Sequence, residues 1–432
     1  MYNTHVIAHR QILRKTIERF LALLVQIKIW RVRPIIIGIT GSVGKTSAKE
    51  AVATVLGAKY SVYRPPKSYN TEIGLLLGIL EQTSGFSSPY KWLKVIAGAK
   101  WNAFFGRKYK FWILEYGADK PGDIQHLLKY VKPHVGVITK IERVHQARGQ
   151  FKDADAVFHE KKHLATSLGH DGIAVLNYDD AHLKQLEGKL KAKTLWWNRE
   201  KGRQGIAAKN FRNTLKGFSA DLTFDDESAR AHFPVLGSYH SNIFLPAILL
   251  GAHYGISSKK SIEALQDFTL PPGRMSLIQG IHNSHILDSS YNASPTAVLA
   301  ALELLKELPA ERKIAVLGNM NELGEYTEAA HREIGRALDP WLGLLITVGD
   351  LASTIAEEAL KHGLQKSTIK ILTTAEEAGA LLKKELQKND LVLFKGSQNK
   401  VRLERAIKMV MQEPQRAKEL LCRQEAEWKK IN

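Results

Sequence analysis

The sequence predicts an α/β fold in two units, a larger central one on a parallel sheet and a smaller Rossmann-like one after it. Three observations carry this. The run Pro34-Ile35-Ile36-Ile37-Gly38-Ile39-Thr40 is β-branched and does not alternate, the pattern of a strand covered on both faces. A glycine-rich turn follows, then helical spacing from Ser47 to Leu56. Beyond Leu270-Pro271-Pro272-Gly273, a natural linker, apolar runs of strand length again alternate with helix-like segments.

The elements are taken in chain order. In the first unit Phe111–Tyr116, Val135–Thr139 and Ile173–Asn177 read as further strands, separated by helix-like stretches. Residues 194–235 hold shorter strand-like pieces, Phe218–Phe224 among them, and read as a β-rich extension. In the second unit the strands are Ser284–Asp288, Lys313–Leu317, Leu344–Val348 and Leu391–Phe394. The predicted organisation is therefore a segment 1–33, a central domain 34–269 and a C-terminal domain 270–432. A chain of 432 residues is too long for one ordinary core, which agrees with the division.

Composition narrows the class. With 44% hydrophobic and 24% charged residues the chain is globular rather than disordered or fibrous. One cysteine, Cys422, excludes a disulfide framework and a cysteine-rich zinc site, and fits a reducing, cytoplasmic setting. The formal charge of +19 implies attraction to something anionic. No RNA-binding signature or zinc-finger spacing accompanies it, so no nucleic-acid partner is expected.

Residues 1–33 concentrate the charge. Arg10, Arg14, Lys15, Arg19, Lys28, Arg31 and Arg33 stand against one acid, Glu18, and Ile12, Leu13, Ile17, Phe20, Leu21, Leu24 and Ile27 recur at helical spacing. The uninterrupted apolar stretch Phe20–Val25 is too short to span a bilayer. No small-residue cleavage site follows, which argues against a secretory signal. Two readings stand side by side: a helix that packs on the protein, or one lying on an anionic membrane surface.

The chemistry starts at Thr40-Gly41-Ser42-Val43-Gly44-Lys45-Thr46, between a strand and a helix. Gly41 and Gly44 let the backbone wrap so that N–H groups, Ser42 among them, point at phosphate oxygens. Lys45 would neutralise the phosphates of ATP, and the Thr46 hydroxyl would hold Mg²⁺.

This T-G-S-x-G-K-T loop resembles that of the Mur ligases, which build the bacterial cell-wall peptide, and the resemblance runs from about residue 34 to about 410. Ser68-Tyr69-Asn70-Thr71-Glu72-Ile73-Gly74 resembles the family's segment after the phosphate loop, with Asn70 on the nucleotide side. Leu114-Glu115-Tyr116-Gly117-Ala118, then Pro121-Gly122-Asp123-Ile124, resembles the D-alanyl-D-alanine-adding branch. So do Asp288 with Tyr291-Asn292-Ala293-Ser294-Pro295, Leu317-Gly318-Asn319-Met320-Asn321-Glu322-Leu323-Gly324, and Lys395-Gly396-Ser397. The order and spacing of these segments carry the identification; each alone is weak.

What the resemblance implies is an ATP-dependent amide ligase. ATP would phosphorylate a carboxylate of a cell-wall precursor peptide, and the amine of a dipeptide would attack it. Glu115, at a strand end beside the loop, would ligate Mg²⁺, for which oxygen donors suit. By resemblance His145 and Lys161 would ligate a second Mg²⁺, Lys161 as the carbamate formed with CO₂. Lys162 is adjacent, and the distance to Gly172–Asn177 favours Lys161. Arg274 and Asp288 would close on the nucleotide from the second domain, Arg274 by its forked donors and Asp288 at the ribose.

The sequence also departs from the family pattern. Lys140 follows Thr139 where the family has Asn; Ser289 and Asn319 replace acids; Gln398 replaces an arginine. Gly237-Ser238-Tyr239-His240-Ser241-Asn242-Ile243 only partly matches the adenine-side segment. About 33 residues precede the first strand, so the family's N-terminal domain for the uridine nucleotide is expected to be lacking. Alternatives are therefore a ligase for another acid, as in folylpolyglutamate or cyanophycin synthesis, or an inactive membrane-associated ATP-binding scaffold. The expected location is cytoplasmic, and peripheral at the inner membrane face under the membrane reading of residues 1–33.

Overall fold

The structure, a computed structural model, describes residues 2–66, 71–85, 88–143, 149–199, 205–224, 227–321, 323–398, 400–425 and 428; for residues 2–13, 89 and 227 it describes the backbone alone. Helix α1 (Tyr2–Val32) leads into β1 (Ile35–Thr40), β2 (Val62–Tyr63), β3 (Phe111–Glu115), β4 (Val135–Ile138) and β5 (Ile173–Asn177). These five strands pair in parallel in the order β2-β3-β1-β4-β5. All five residues of β3 and of β5 are buried, as their unalternating apolar sequence demands.

The sheet continues through β6 (Lys193–Asn198), β7 (Gly205–Thr214), β8 (Gly217–Phe224) and β9 (Glu227–Phe233). β6 joins parallel to β5, while β7, β8 and β9 form an antiparallel meander. The β-rich extension is thus an edge of the central sheet. Helices cover both faces. On one face are α2 (Lys45–Gly57) and the helix Ser241–His253, which bury Val52, Val55, Phe244 and Ile248. On the other are α1, α3 (Glu72–Ile79), α4 (Pro89–Phe105), α5 (Asp123–Tyr130) and α6 (Ala154–Lys161).

The N-terminal helix packs on the protein over its described side chains. Leu21, Leu24 and Val25 are buried in the core. Lys28 is fully buried, its ammonium donating to Ile79 O (2.8 Å), Glu81 Oε1 (2.9 Å) and Asn102 Oδ1. Arg31 caps the end of α4 through Ala103 O (3.0 Å) and Gly106 O (2.7 Å). Two of the basic residues read as candidates for a membrane therefore face inward. Among the described residues no helix is long and apolar enough to cross a membrane.

The C-terminal sheet comprises β10 (Ser276–Gln279), β11 (His285–Ser289), β12 (Arg312–Gly318), β13 (Leu344–Val348), β14 (Ile369–Leu372) and β15 (Asp390–Lys395), in the order β10-β11-β15-β12-β13-β14. It is parallel except for β10, which returns antiparallel along β11. The carboxyl ends of β1, β3 and β4 face those of β11 and β15 across one cavity, where an open α/β sheet places its ligands.

Candidate active site

The loop after β1 is fixed by what cannot fit there. Gly41 has φ 148°, and a Cβ on it would stand 2.0 Å from Thr139 Oγ1. Gly44, at φ 82°, caps α2 with no side-chain hydrogen bond, which leaves the first-turn N–H groups for an anion. The end of β4 braces the loop: Thr139 Oγ1 donates to Val43 O (2.6 Å), Ser42 N to Lys140 O (2.8 Å) and Ser42 Oγ to Glu142 O (3.1 Å).

Lys45 bends back over this loop, its ammonium 2.7 Å from Gly41 O. Burial lowers its pKa; Glu115 opposes the shift and Arg274 adds to it. Thr46 Oγ1 donates to Glu115 Oε2 at 3.2 Å, so a hydroxyl and a carboxylate converge beside the cradle. Glu115 is buried and its other oxygen pairs with Lys49 Nζ at 3.1 Å. The sequence reading missed Lys49. It stands four residues after Lys45, one helical turn on, where it reaches the strand end.

Lys161 lies buried behind the cradle. Its pKa is held well below the ordinary lysine value by burial and then by Lys45, with Asp119, Glu160 and Asp123 opposing. The preceding Glu160 turns to the loop before α5 and accepts from Gly122 N (2.7 Å) and Ile124 N (2.6 Å). Asp119, also missed from the sequence, lines the cavity beside Lys45.

The opposite wall comes from the second sheet. The Arg274 guanidinium lies 4.2 Å from the Tyr291 ring centre, and Gly273, at φ 77°, accepts from Tyr291 N at 3.0 Å. Lys395 Nζ donates to Asn292 O (2.5 Å) and Ser289 O (3.4 Å). Burial, with Arg274 nearby, pushes Lys395 down to about 7. Arg423 donates to Ser290 O at 3.3 Å and to Tyr291 O, a clamp that the sequence did not announce. His240 also lines the cavity; burial lowers it to about 4, and its Nδ1 meets Leu236 O at 2.7 Å.

The cavity between the walls measures about 400 Å³. Of the residues singled out from sequence, Ser42, Gly44, Lys45, Thr46, Glu115 and Arg274 line it. Gly41 and Lys161 do not line it, and Lys161 is buried. Asp288, expected at a ribose, is fully buried beneath the wall, and Ser289 takes the lining position. Burial raises the Asp288 carboxyl to about 6; one oxygen accepts from Ser290 N at 3.0 Å, the other lacks a partner among the described residues. Asn70, His145 and Glu322 lie outside the described residues.

A nucleotide fits this chemistry. The cradle admits no Cβ at Gly41, and Lys45 and Arg274 offer cations to phosphates from both walls. Thr46 and Glu115 supply two oxygen donors, a set that suits Mg²⁺ because that ion keeps several waters. Among the described residues no group of three or more His, Cys, Asp or Glu forms a metal cluster.

Comparison with known proteins agrees in extent and order. The Mur ligase middle domain matches residues 39–250, and the Mur ligase glutamate ligase domain matches residues 273–398. The UDP-N-acetylmuramoyl-tripeptide--D-alanyl-D-alanine ligase of Bacillus subtilis strain 168 is 28% identical over 385 residues, covering 88% of this chain and 76% of that one. Its counterpart in Synechocystis is 29% identical over 364 residues, covering 84% and 71%. The crystal structure of MurF ligase from Thermotoga maritima in complex with ADP superposes with a TM-score of 0.74 at 26% identity, covering 91% of this chain and 83% of that one. With both domain matches falling on the two sheets that enclose the cavity, the chain belongs to the Mur ligase family of ATP-dependent ligases.

Proposed function

We propose that the chain joins a carboxylate of a cell-wall precursor peptide to the amine of a D-alanyl-D-alanine-like dipeptide. The carrying observation is the cavity itself: a phosphate cradle on one wall, and on the other Tyr291, Asn292, Ala293 and Ser294, the segment that resembles the D-alanyl-D-alanine-adding branch. ATP supplies the phosphoryl group that activates the carboxylate, and Mg²⁺ held by Thr46 and Glu115 would supply charge neutralisation there.

The residues divide the work. Lys45 and the loop N–H groups hold the phosphates; Thr46 and Glu115 ligate the first Mg²⁺. Lys49 restrains the Glu115 carboxylate through its second oxygen. Lys161, as the carbamate that a neutral amine and CO₂ form with release of a proton, would hold a second Mg²⁺ together with His145. Its support is electrostatic: a buried lysine with a depressed pKa presents the neutral amine that CO₂ requires. Arg274 meets the nucleotide from the second wall, and approach of the walls excludes water from the acyl phosphate. Asp288, buried beneath the wall, makes no direct contact with the ribose in this reading, and Ser289 takes its place at the cavity. The domain limits 34–269 and 270–432 belong to the same reading, as does a cytoplasmic enzyme held peripherally at the inner membrane face.

The test offers purified protein and Mg²⁺-ATP a panel of acids: UDP-muramoyl-tripeptide, a lipid-linked equivalent, glutamate-containing peptides and folate. Each is given with and without D-alanyl-D-alanine, and phosphate release and product mass are followed together. Dipeptide-dependent turnover of a muramoyl peptide is expected. Turnover only with folate or simple amino acids would overturn the substrate and leave the ligase class standing.

A further inference from the structure

Seven of the eleven large hydrophobic side chains exposed among the described residues lie on α1 and α4. The inner row of α4, Val95, Ala99 and Ala103, is buried in the central core. Its outer row is Leu93, Ala97, Trp101 and Phe104, again at helical spacing, with Phe105 beside it. Trp101 is 67% exposed and Phe105 68%. Their rings lie 4.8 Å apart and Phe104 meets Phe105 at 6.4 Å, so the aromatic surface is continuous. On α1, Leu23 and Trp30, seven residues apart, stand 57% and 74% exposed.

The charge on this side is of one sign. Between Glu81 and Glu115 the sequence carries six Lys/Arg and no Asp or Glu. Lys91, Lys94, Lys100, Arg107, Lys108 and Lys110 are all exposed. On α1 the lone acid Glu18 is buried against the Tyr130 hydroxyl, while Lys15 and Arg19, and Arg33 just past the helix end, are exposed. The two helices form one body through Lys28 and Arg31, and Lys100 reaches to 5.6 Å from the Phe20 ring centre.

We propose that the outward face of α4, with Leu23 and Trp30 of α1, is a docking surface for an anionic lipid membrane. Trp101, Phe104 and Phe105 enter to headgroup depth while Lys94, Lys100 and Lys108 meet the acidic headgroups. Aromatic rings flanked by lysines suit that layer, where a ring finds both apolar and wet surroundings. A second copy of the chain suits it less, because docking two such faces sets like charges against each other. The inference rests on the peripheral placement proposed above, and moves the contact from the N-terminal helix alone to α4.

The test is sedimentation of the full chain with vesicles of phosphatidylglycerol and phosphatidylcholine in equal parts, against phosphatidylcholine alone. Wild type is expected to pellet with the anionic vesicles only. The triple variants Trp101→Ser/Phe104→Ser/Phe105→Ser and Lys94→Glu/Lys100→Glu/Lys108→Glu should each lose about tenfold or more in partitioning. The aromatic triple should keep its thermal midpoint, since those rings point outward, and the charge triple should lose no more than the Lys100 contact with the Phe20 ring. If wild type fails to bind anionic vesicles, both the peripheral placement and the surface fall. If both triple variants still bind while Lys15→Glu/Arg19→Glu does not, the placement stands and the α4 surface is wrong. A concentration-dependent dimer that the aromatic triple abolishes, without vesicle binding, would make the face an interface between copies.

Discussion

The two walls of the cavity hold their cations differently. On the central wall Lys45 bonds within its own loop, to Gly41 O, and Lys49 meets a carboxylate at the end of the neighbouring strand. On the C-terminal wall Lys395 reaches a carbonyl 103 residues away and Arg423 reaches one 133 residues away, while Arg274 lies on a ring. The first wall is made by a short stretch of chain and two strand ends. The second needs distant parts of its unit assembled before Lys395 and Arg423 are placed. The phosphate cradle thus rests on one continuous loop braced by the ends of β3 and β4, and the recognition proposed for the amine on contacts that span the C-terminal unit.

The sharpest way to break this contrast is Lys45→Ala, which should lower substrate-dependent ATP hydrolysis by about 10³-fold or more and leave the fold intact. Normal ADP release by a folded variant would remove the cradle from the chemistry. Lys161→Ala should come next, at about 10²- to 10³-fold. A small carboxylate should partly rescue it, and bicarbonate-free buffer at mildly acidic pH should weaken wild type, because protonation removes the amine that CO₂ needs. Wild-type rates in that variant would disprove the carbamate.

The smallest effect belongs to the second wall and is read as stability. Burial raises Asp288 from 3.8 to about 6, so the native state holds its proton more tightly than the unfolded chain. This contribution is fully present below about pH 4 and is lost as pH rises through about 6, roughly 3 kcal/mol in all. Asp288→Asn should flatten urea-unfolding stability across that window. An unaltered slope would show that the carboxyl titrates normally.

Much of this was legible in the sequence because it is local. β1 follows from its unbroken apolar run, the cradle from its glycines, and Ile173–Asn177 and Leu344–Val348 have the limits their hydrophobicity predicts. The short edge strands were not legible: β2 has two residues and β14 is exposed at its middle positions, so neither leaves an apolar run. Nor were the pairings. Nothing near Lys49 in the sequence names Glu115, and nothing near Asp288 announces Arg423 or the burial that keeps the carboxyl off the cavity wall. The basic N-terminal stretch left two readings open, since a buried lysine and a surface lysine read alike until their partners are known.

Buried Lys28 also has a consequence in time. During synthesis α1 is made well before the residues that receive its ammonium, the farthest of them, Asn102, lying 74 positions later. At about 5–20 residues per second the ribosome takes roughly 4 to 15 seconds to supply them. For that interval the nascent helix holds a charge it cannot bury and an apolar stripe, Leu21, Leu24 and Val25, with nothing to cover it. The contacts that bury this helix in the native state therefore all belong to chain made after it.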